Sequence, residues 1–233
     1  MSRGDYAEAA KALGAAGYVR DGASLMRLKP DVVVLCTSIV STKQVLLAFP
    51  PALLESTLVV DVLSVKAYPK QLLLELLPRS ADILCTHPMF GPESGRHSWA
   101  GLPFVFETVR ASDAHRVARF LRIWERERCV MEEMSCEQHD EYAASTQFVT
   151  HTTGRMLGQL SLRSTPVNTK GYEALLSVVD TTCKDSFELF YGLYKFNANA
   201  KRELDKMEVA LRRLRAQLEQ LELESAADDK TKL

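Results

Sequence analysis

The sequence lacks several features that would assign it at once to a class of protein. Its five cysteines are scattered without a C-x-x-C pair, which argues against disulfides or a zinc site and favours a reducing compartment. No apolar run approaches the roughly 18 residues of a membrane span, and the N-terminal residues lack the apolar core of a signal peptide. Basic and acidic residues nearly cancel, at 29 and 30, so no net field favours nucleic acid or anionic lipid. We expect a soluble intracellular protein without a metal.

Short apolar runs alternate with helical segments in the first half of the chain. The runs that predict strands are 31–36, 57–62, 82–86, 102–106 and 129–131, and the predicted helices are 41–49, 68–77 and 113–128. Such alternation is typical of a parallel, doubly wound α/β sheet. We therefore predict that residues 1–135 form this sheet with its helices.

The second half of the chain shows helical patterns alone. Its predicted helices are 139–162, 173–194 and 197–224, with a loop at 165–171 where proline and glycine interrupt the pattern. We predict an all-α domain over residues 136–224. Residues 225–233 are small, polar and charged, and predict a disordered tail.

A glycine-rich phosphate loop is missing from the start of the predicted sheet. A complete dinucleotide-binding fold opens with a strand and G-x-G-x-x-G, whose amides receive the pyrophosphate. Gly14 and Gly17 follow a helical stretch and no strand. We expect the chain to begin after the first βαβ unit of such a fold.

Polar side chains follow three of the predicted strands directly. Thr37 and Ser38 follow the first, Ser64 and Lys66 the second, and His87 the third. Because ligands of open α/β sheets bind beyond the carboxyl ends of the strands, these residues predict a site at one edge. The alternative is that the hydroxyls cap helices and that the histidine is satisfied by backbone groups in a turn.

The first helix of the second half carries a row of polar side chains. Gln147, His151 and Arg155 recur at four-residue intervals, so they share a face suited to an anionic, carboxylate-bearing ligand. The alternative is a solvated stripe. A zinc site formed by His139 and His151 is disfavoured by the several turns between them.

The last predicted helix has apolar residues at alternating spacings of three and four. These residues are Leu204, Met207, Leu211, Leu214, Leu218 and Leu221. The pattern indicates either a seam between two subunits or the buried face of an amphipathic helix within one domain.

Several blocks of the chain closely resemble the plant and algal arogenate/prephenate dehydrogenases. They are LCTSIVST, VVDVLSVKAYPK, DILCTHPMFGPESG, GLPFVF, MSCEQHDEYAASTQFVTHTTGRML and STPVNTKGYE, within a similarity that runs from about Ser2 to Met207. That family oxidatively decarboxylates arogenate to tyrosine, or prephenate to 4-hydroxyphenylpyruvate, usually with NADP. The resemblance implies an α/β Rossmann-like parallel sheet, here with its first βαβ unit missing, followed by an all-α dimerisation domain.

The resemblance also implies roles for single residues. His87 matches the catalytic histidine that accepts the ring hydroxyl proton, and Ser64 matches the serine that hydrogen-bonds this hydroxyl. The residues assigned to substrate binding are Gln147, His151, Arg155, Thr169, Lys170 and Asp185. Bacterial relatives use an arginine in a later helical segment where this chain has Leu-Leu-Ser, so Arg155 or Lys170 is the candidate replacement.

The resemblance further implies where NADP and a second subunit bind. Ser2 and Arg3 resemble a turn in which an arginine meets the 2′-phosphate of NADP. Thr37 and Ser38 are expected along the cofactor, and Lys66 is assigned to cofactor binding in the same motif as Ser64. The family implies a homodimer and a location in the plastid stroma.

Two other functions stay open at this point. One is a non-catalytic fragment or isoform that retains only the dimerisation surface. The other is a different decarboxylating or β-hydroxyacid dehydrogenase; such enzymes use a lysine of the helical domain, and the HPMFGPESG block argues against them.

Overall fold

The structure is a computed structural model that describes residues 4–91 and 94–231. Ser2 and Arg3, the predicted phosphate-binding turn, lie outside the described residues. The chain forms two compact units, one of residues up to 142 together with 185–197, the other of residues 143–184 together with those from 198 onward. Within the described ranges, no helix has both the length and the apolarity that crossing a bilayer requires.

Strands and helices alternate through most of the first unit. In chain order the described elements up to the fifth strand are α1 (Ala7–Ala12), α2 (Gly22–Arg27), β1 (Val32–Leu35), α3 (Thr42–Leu47), α4 (Pro51–Leu54), β2 (Leu58–Asp61), α5 (Ala67–Leu76), β3 (Asp82–Pro88), β4 (Pro103–Arg110), α6 (Ala114–Arg126) and β5 (Val130–Glu133). A 3₁₀ turn at Ile39–Ser41 precedes α3. The five predicted strands are confirmed.

The remaining elements are helical. They are α7 (Cys136–Ala143), a π-helical turn (Ala144–Phe148), α8 (Val149–Gly158), α9 (Lys170–Lys184), α10 (Phe187–Phe196) and α11 (Ala200–Thr231). Helix α10 belongs to the first unit, whereas α8, α9 and α11 belong to the second. The prediction of helices alone after the fifth strand is confirmed within the described residues.

The sheet has the order β1-β2-β3-β4-β5 and is mostly parallel. The pair β3–β4 is antiparallel, so the prediction of a wholly parallel sheet is wrong at this pair. Parallel neighbours need a crossover, usually a helix, to return the chain to the starting edge. The described residues between β3 and β4 contain no helix, and β4 therefore starts at the edge where β3 ends.

Alternate residues of the central strands enter two apolar clusters, one on each face of the sheet. Val59, Ile83 and Cys85 pack with the leucines of α3, α4 and α5. Val60 and Leu84 pack on the other face with residues of α6. Burial on both faces explains why the sequences of these strands are continuous apolar runs.

Two glycines bring α8 and α9 of the second unit close together. A Cβ atom at Gly154 would lie 2.0 Å from Thr182 Oγ1, and one at Gly158 would lie 2.9 Å from Cys183 Sγ. These positions therefore need glycine for the close approach, which offsets its low helix propensity.

The helix predicted at 173–194 is in fact two helices. Helix α9 ends at Lys184, and Ser186 caps α10 by accepting a hydrogen bond from the Leu189 amide at 3.1 Å. Asp185 thus lies in the break between them. Aspartate and serine favour helix starts because their side chains can accept from free amides of the first turn.

The predicted domain limits also differ from the observed units. The boundary at 135 is wrong because most of α7 belongs to the first unit, and so does the segment 185–197. The disordered tail predicted at 225–233 is wrong for its described part, since α11 continues to Thr231. Alanine and lysine in this stretch favour helix, and no proline or glycine ends it. Residues 232 and 233 lie outside the described residues.

Candidate active site

The carboxyl ends of β1, β2 and β3 lie side by side in the sheet. Leu35 pairs with Asp61 in the parallel register, and Asp61 pairs with Cys85. The residues that follow these strands, and His87 near the end of β3, therefore meet at one edge as predicted. This edge is where open α/β sheets bind their ligands.

The hydroxyls that follow β1 help to shape the next turn of the chain. Thr37 Oγ1 lies 2.8 Å from Thr42 Oγ1, and Ser38 Oγ lies 2.8 Å from Ser41 Oγ. Ser38 also caps the 3₁₀ turn by accepting from the Ser41 amide. These contacts match the alternative interpretation, in which the hydroxyls cap the following helical turn. At the sheet edge, Thr37 is half-buried and Ser38 is exposed.

Lys66, which follows β2, is buried and bonded within the sheet. Its side chain is 2% exposed, its ammonium is paired with the Asp61 carboxylate, and it also donates to the Thr86 carbonyl. Burial raises the pKa of Asp61, and the neighbouring ammonium opposes this effect. The ammonium of Lys66 is thus already bonded within the sheet, and the assignment of Lys66 to cofactor binding stays a prediction.

His87 is held on a strand with neighbours on both sides. It pairs with Val105 of β4, and the Met89 amide two residues on donates to the Pro103 carbonyl at 2.9 Å. The backbone before and after His87 is thus fixed. Ser64 lies half-buried in the loop that follows β2.

The imidazole of His87 is the first member of a chain of three buried side chains. His87 Nδ1 lies 2.8 Å from His139 Nε2, and His139 Nδ1 lies 2.9 Å from Asp140 Oδ1. The Asp140 carboxylate accepts from the amides of Lys66, at 2.7 Å, and Ala67, at 2.9 Å. The chain therefore runs from the end of β3, through α7, to the first turn of α5.

Burial determines the charge of His87. Desolvation is the main cause that lowers the pKa of His87 well below 6.5, and the nearby ammonium of Lys66 acts in the same direction. The imidazole is therefore neutral at neutral pH. A neutral, fixed imidazole can accept a proton, which is what a general base must do.

The sequence did not point to Asp140 as a functional residue, and it suggested His139 only as a disfavoured zinc ligand. Both are buried, as are Cys136 and Ala143 on the same helix. The spacing 136, 139, 140 and 143 is that of one helical face. Two titratable residues on an otherwise apolar face were the signal that could have identified them, since buried charges need partners.

The other predicted substrate residues belong to the second unit, with one exception. Gln147 lies in the π-helical turn and His151 and Arg155 in α8, and all three are half-buried at four-residue intervals. The buried Oε1 atom of Gln147 has no hydrogen-bond partner among the described residues. The row is thus partly shielded from solvent, and its assignment to substrate binding stays a prediction.

Thr169 and Lys170 lie at the start of α9, where both are exposed. Thr169 Oγ1 accepts from the Tyr172 amide at 3.2 Å and so caps this helix. Asp185, between α9 and α10, is half-buried and belongs to the first unit with His87. The predicted substrate residues are thus divided between the two units.

Two family models match the chain. The model described as prephenate dehydrogenase, nucleotide-binding domain, matches residues 3–133. The model described as TYRAAT1-like, C-terminal domain, matches residues 156–230. The first match covers the whole described sheet.

Two curated relatives from Arabidopsis thaliana are similar over 93% of this chain. Arogenate dehydrogenase 2, chloroplastic, is 54% identical over 222 residues, which span 62% of its own length. Arogenate dehydrogenase 1, chloroplastic, is 52% identical, and the match spans 34% of its length. The chain thus spans less than two thirds of either relative.

A solved structure shares the fold at low sequence identity. Prephenate dehydrogenase from A. aeolicus, in complex with hydroxyphenyl propionate and NAD+, superimposes with a TM-score of 0.68 at 19% identity. The similarity covers 91% of this chain and 77% of that chain. The family model that matches residues 3–133 covers more than half of the chain and shows that the chain belongs to the prephenate dehydrogenase family.

Proposed function

We propose that this chain carries out the NADP-dependent oxidative decarboxylation of arogenate, or of prephenate, in tyrosine biosynthesis. The observation that carries the proposal is His87, a neutral imidazole held at the carboxyl end of β3. Oxidation of a ring alcohol needs a base for the hydroxyl proton, and His87 offers one at the edge where α/β sheets bind nucleotides. The names of the Arabidopsis relatives support the same reaction.

The side chains of this protein contribute a proton acceptor and a hydrogen bond to the reaction. His87 accepts the hydroxyl proton as the ring alcohol is oxidised, and Ser64, on the loop after the neighbouring strand, hydrogen-bonds that hydroxyl. Loss of carbon dioxide then makes the ring aromatic, which supplies the driving force. The side chains therefore need to orient the substrate and hold one proton.

The edge formed by β1, β2 and β3 fits a nicotinamide cofactor. It is the carboxyl edge of parallel strands, and the polar residues Thr37 and Ser38 lie just beyond β1, where a bound nucleotide would pass. When bound, the nicotinamide supplies the hydride acceptor. We assign NADP rather than NAD to this chain because Arg3 follows Ser2 in the sequence and suits a 2′-phosphate.

Cationic and polar side chains of the second unit suit the carboxylates of the substrate. Arg155 and Lys170 offer positive charge, His151 offers ring nitrogens for hydrogen bonds, and Gln147 has a buried amide oxygen without a partner among the described residues. Thr169 completes this group as a hydroxyl at the start of α9.

Asp185 is assigned to the ammonium group that distinguishes arogenate from prephenate. A carboxylate that meets an ammonium forms a charge-assisted hydrogen bond, which a keto oxygen at the same place cannot form.

A homodimer and a plastid location complete the proposal. Helix α11 exposes a row of leucines that a second copy would cover, and both Arabidopsis relatives are named chloroplastic.

The function is tested by following reduction of NADP and of NAD with each substrate, up to millimolar cofactor. We expect arogenate with NADP to give the highest kcat/KM. His87→Asn should lower kcat by roughly 10²–10⁴ because the proton acceptor is lost. His115→Asn, at an exposed histidine of α6, is the matched control and should not change kcat.

Two results would reject the proposal. If the unmodified chain oxidises neither substrate with either cofactor, the non-catalytic alternative is correct. If His87→Asn keeps the rate of the unmodified chain, His87 is not the base.

A further inference from the structure

We propose that His139 and Asp140 are positioning residues that fix the tautomer of His87, so that its Nε2 atom carries the lone pair that accepts the substrate proton. This inference rests on the proposed function for its use in catalysis, although the tautomer itself is a property of the chain alone. All the residues that carry it lie in the first unit.

The argument starts at Asp140, whose carboxylate faces two backbone donors. The amides of Lys66 and Ala67 point at Oδ1 and Oδ2 from 2.7 and 2.9 Å. An amide can only donate, so both carboxylate oxygens act as acceptors. These amides open helix α5, where the helix dipole also favours an anion. Asn197 Nδ2 donates to the Asp140 carbonyl at 2.8 Å and holds the residue from a third direction.

The next link is His139. Its Nδ1 atom lies 2.9 Å from Asp140 Oδ1, which is an acceptor, so Nδ1 must carry the hydrogen. In a neutral imidazole the other nitrogen is then an acceptor. His139 Nε2 therefore accepts, and it does so from the group 2.8 Å away, His87 Nδ1.

The last link is His87 itself. Because Nδ1 donates to His139, the single hydrogen of the neutral ring is on Nδ1 and the lone pair is on Nε2. A chain of fixed acceptors that ends at a carboxylate is a general way to orient a histidine base and to stabilise it once it is protonated. When His87 accepts the hydroxyl proton, its positive charge lies one imidazole away from Asp140.

One competing arrangement uses the same heavy-atom positions. If His139 were doubly protonated, it would donate to both Asp140 and His87, and His87 would then carry its hydrogen on Nε2. That form of His87 cannot accept a proton. A doubly protonated His139 would place a second cation in the buried cluster that already holds the ammonium of Lys66, and this disfavours the competing arrangement.

The first experiment reads the tautomer without substrate or cofactor. Nitrogen-15 spectra of the full chain, labelled at histidine, distinguish protonated from unprotonated ring nitrogens. The five histidines are assigned by replacing each with glutamine in turn. We expect His87 to be protonated at Nδ1 alone, and His139 likewise. A hydrogen on His87 Nε2, or a doubly protonated His139, would overturn the proposal.

The second experiment measures what the tautomer does in catalysis. His139→Leu removes the nitrogen that accepts the hydrogen bond from His87 Nδ1. A hydrogen on Nδ1 would then be buried without an acceptor, so we expect it to move to Nε2. We expect kcat to fall about 10²-fold or more with little change in KM. His139→Gln offers an amide oxygen to His87 Nδ1 and should retain kcat to within about tenfold.

A structural role alone would not give this pattern. Loss of packing would not be rescued by glutamine, nor would it change the tautomer of His87. His115→Leu and His115→Gln are the matched controls at an exposed position. Equal kcat for His139→Leu and the unmodified chain would overturn the catalytic role of the tautomer. Absence of any oxidation by the unmodified chain would instead reject the proposed function, and the nitrogen-15 spectra alone would then test the tautomer.

Discussion

Lys66 and Asp61 form an ion pair that is buried within the sheet, with side chains 2% and 0% exposed. Asp61 ends β2, and Lys66 reaches back from the start of α5 to meet it and the Thr86 carbonyl of β3. The pair therefore joins two strands and a helix beneath the candidate active site. A buried pair of this kind is costly to break from one side, because the remaining charge has no partner.

Removal of one partner should therefore destabilise the first unit. We expect Lys66→Met to lower the free energy of unfolding by about 3–5 kcal/mol, measured by chemical denaturation. Asp61→Val combined with Lys66→Met should recover at least half of this loss, since no unpaired charge remains. Lys43→Met, at an exposed lysine, is the control. If Lys66→Met left the free energy of unfolding unchanged but raised the KM for NADP, the result would contradict this prediction and support the assignment of Lys66 to cofactor binding.

The lowered pKa of His87 sets the expected pH dependence. The neutral base is the active form, so kcat/KM should keep its full value at pH values somewhat below 6.5 and decline only as pH falls through the lowered pKa. An acid limb centred at or above 6.5 would contradict the burial of this group.

The same shift has a consequence for stability. The unfolded chain binds a proton at His87 near pH 6.5 while the folded chain does not, so stability should fall as pH decreases below 6.5. Denaturation at neutral and mildly acidic pH measures this slope. His87→Asn should reduce it, and His115→Asn should leave it unchanged, because His115 is exposed.

The leucines of α11 predict a dimer. Leu211, Leu214 and Leu218 are 60%, 54% and 57% exposed, which argues against the alternative that they pack within their own domain. We expect sedimentation at micromolar concentration to show a dimer, and Leu211→Glu with Leu218→Glu to yield a monomer. Ala216→Glu, on the opposite face of the helix, should remain dimeric. A monomeric unmodified chain would contradict the prediction.

Asp185 should determine the preference between the two substrates. A carboxylate can pair with the ammonium of arogenate, whereas a neutral amide suits the keto oxygen of prephenate, and a charge-assisted hydrogen bond is worth about 1.5–3 kcal/mol. We expect Asp185→Asn to shift the ratio of kcat/KM towards prephenate by about tenfold or more. The control is Asp180→Asn, which removes an exposed carboxylate paired with Lys184. An unchanged ratio would assign the preference to Gln147, His151 or Arg155.

The sequence was sufficient for the strands and for the edge at which they present polar residues. The continuous apolar runs of β2 and β3 can be satisfied only by burial on both faces, so their type and order followed from local pattern. The parallel strand ends then placed His87 beside the loop that carries Ser64. The break at Asp185 was missed because the helical period continues on both sides of it.

The partners of the buried charges were decided by the tertiary structure alone. Lys66 and Asp61 are close in sequence, yet whether the lysine faces solvent or the sheet depends on how α5 packs. His139 lies 52 residues from His87 and meets it because β3 and α7 are adjacent in the first unit. A period of apolar residues specifies which face of an element is buried, but it carries no information about which distant polar group satisfies a charge on that face.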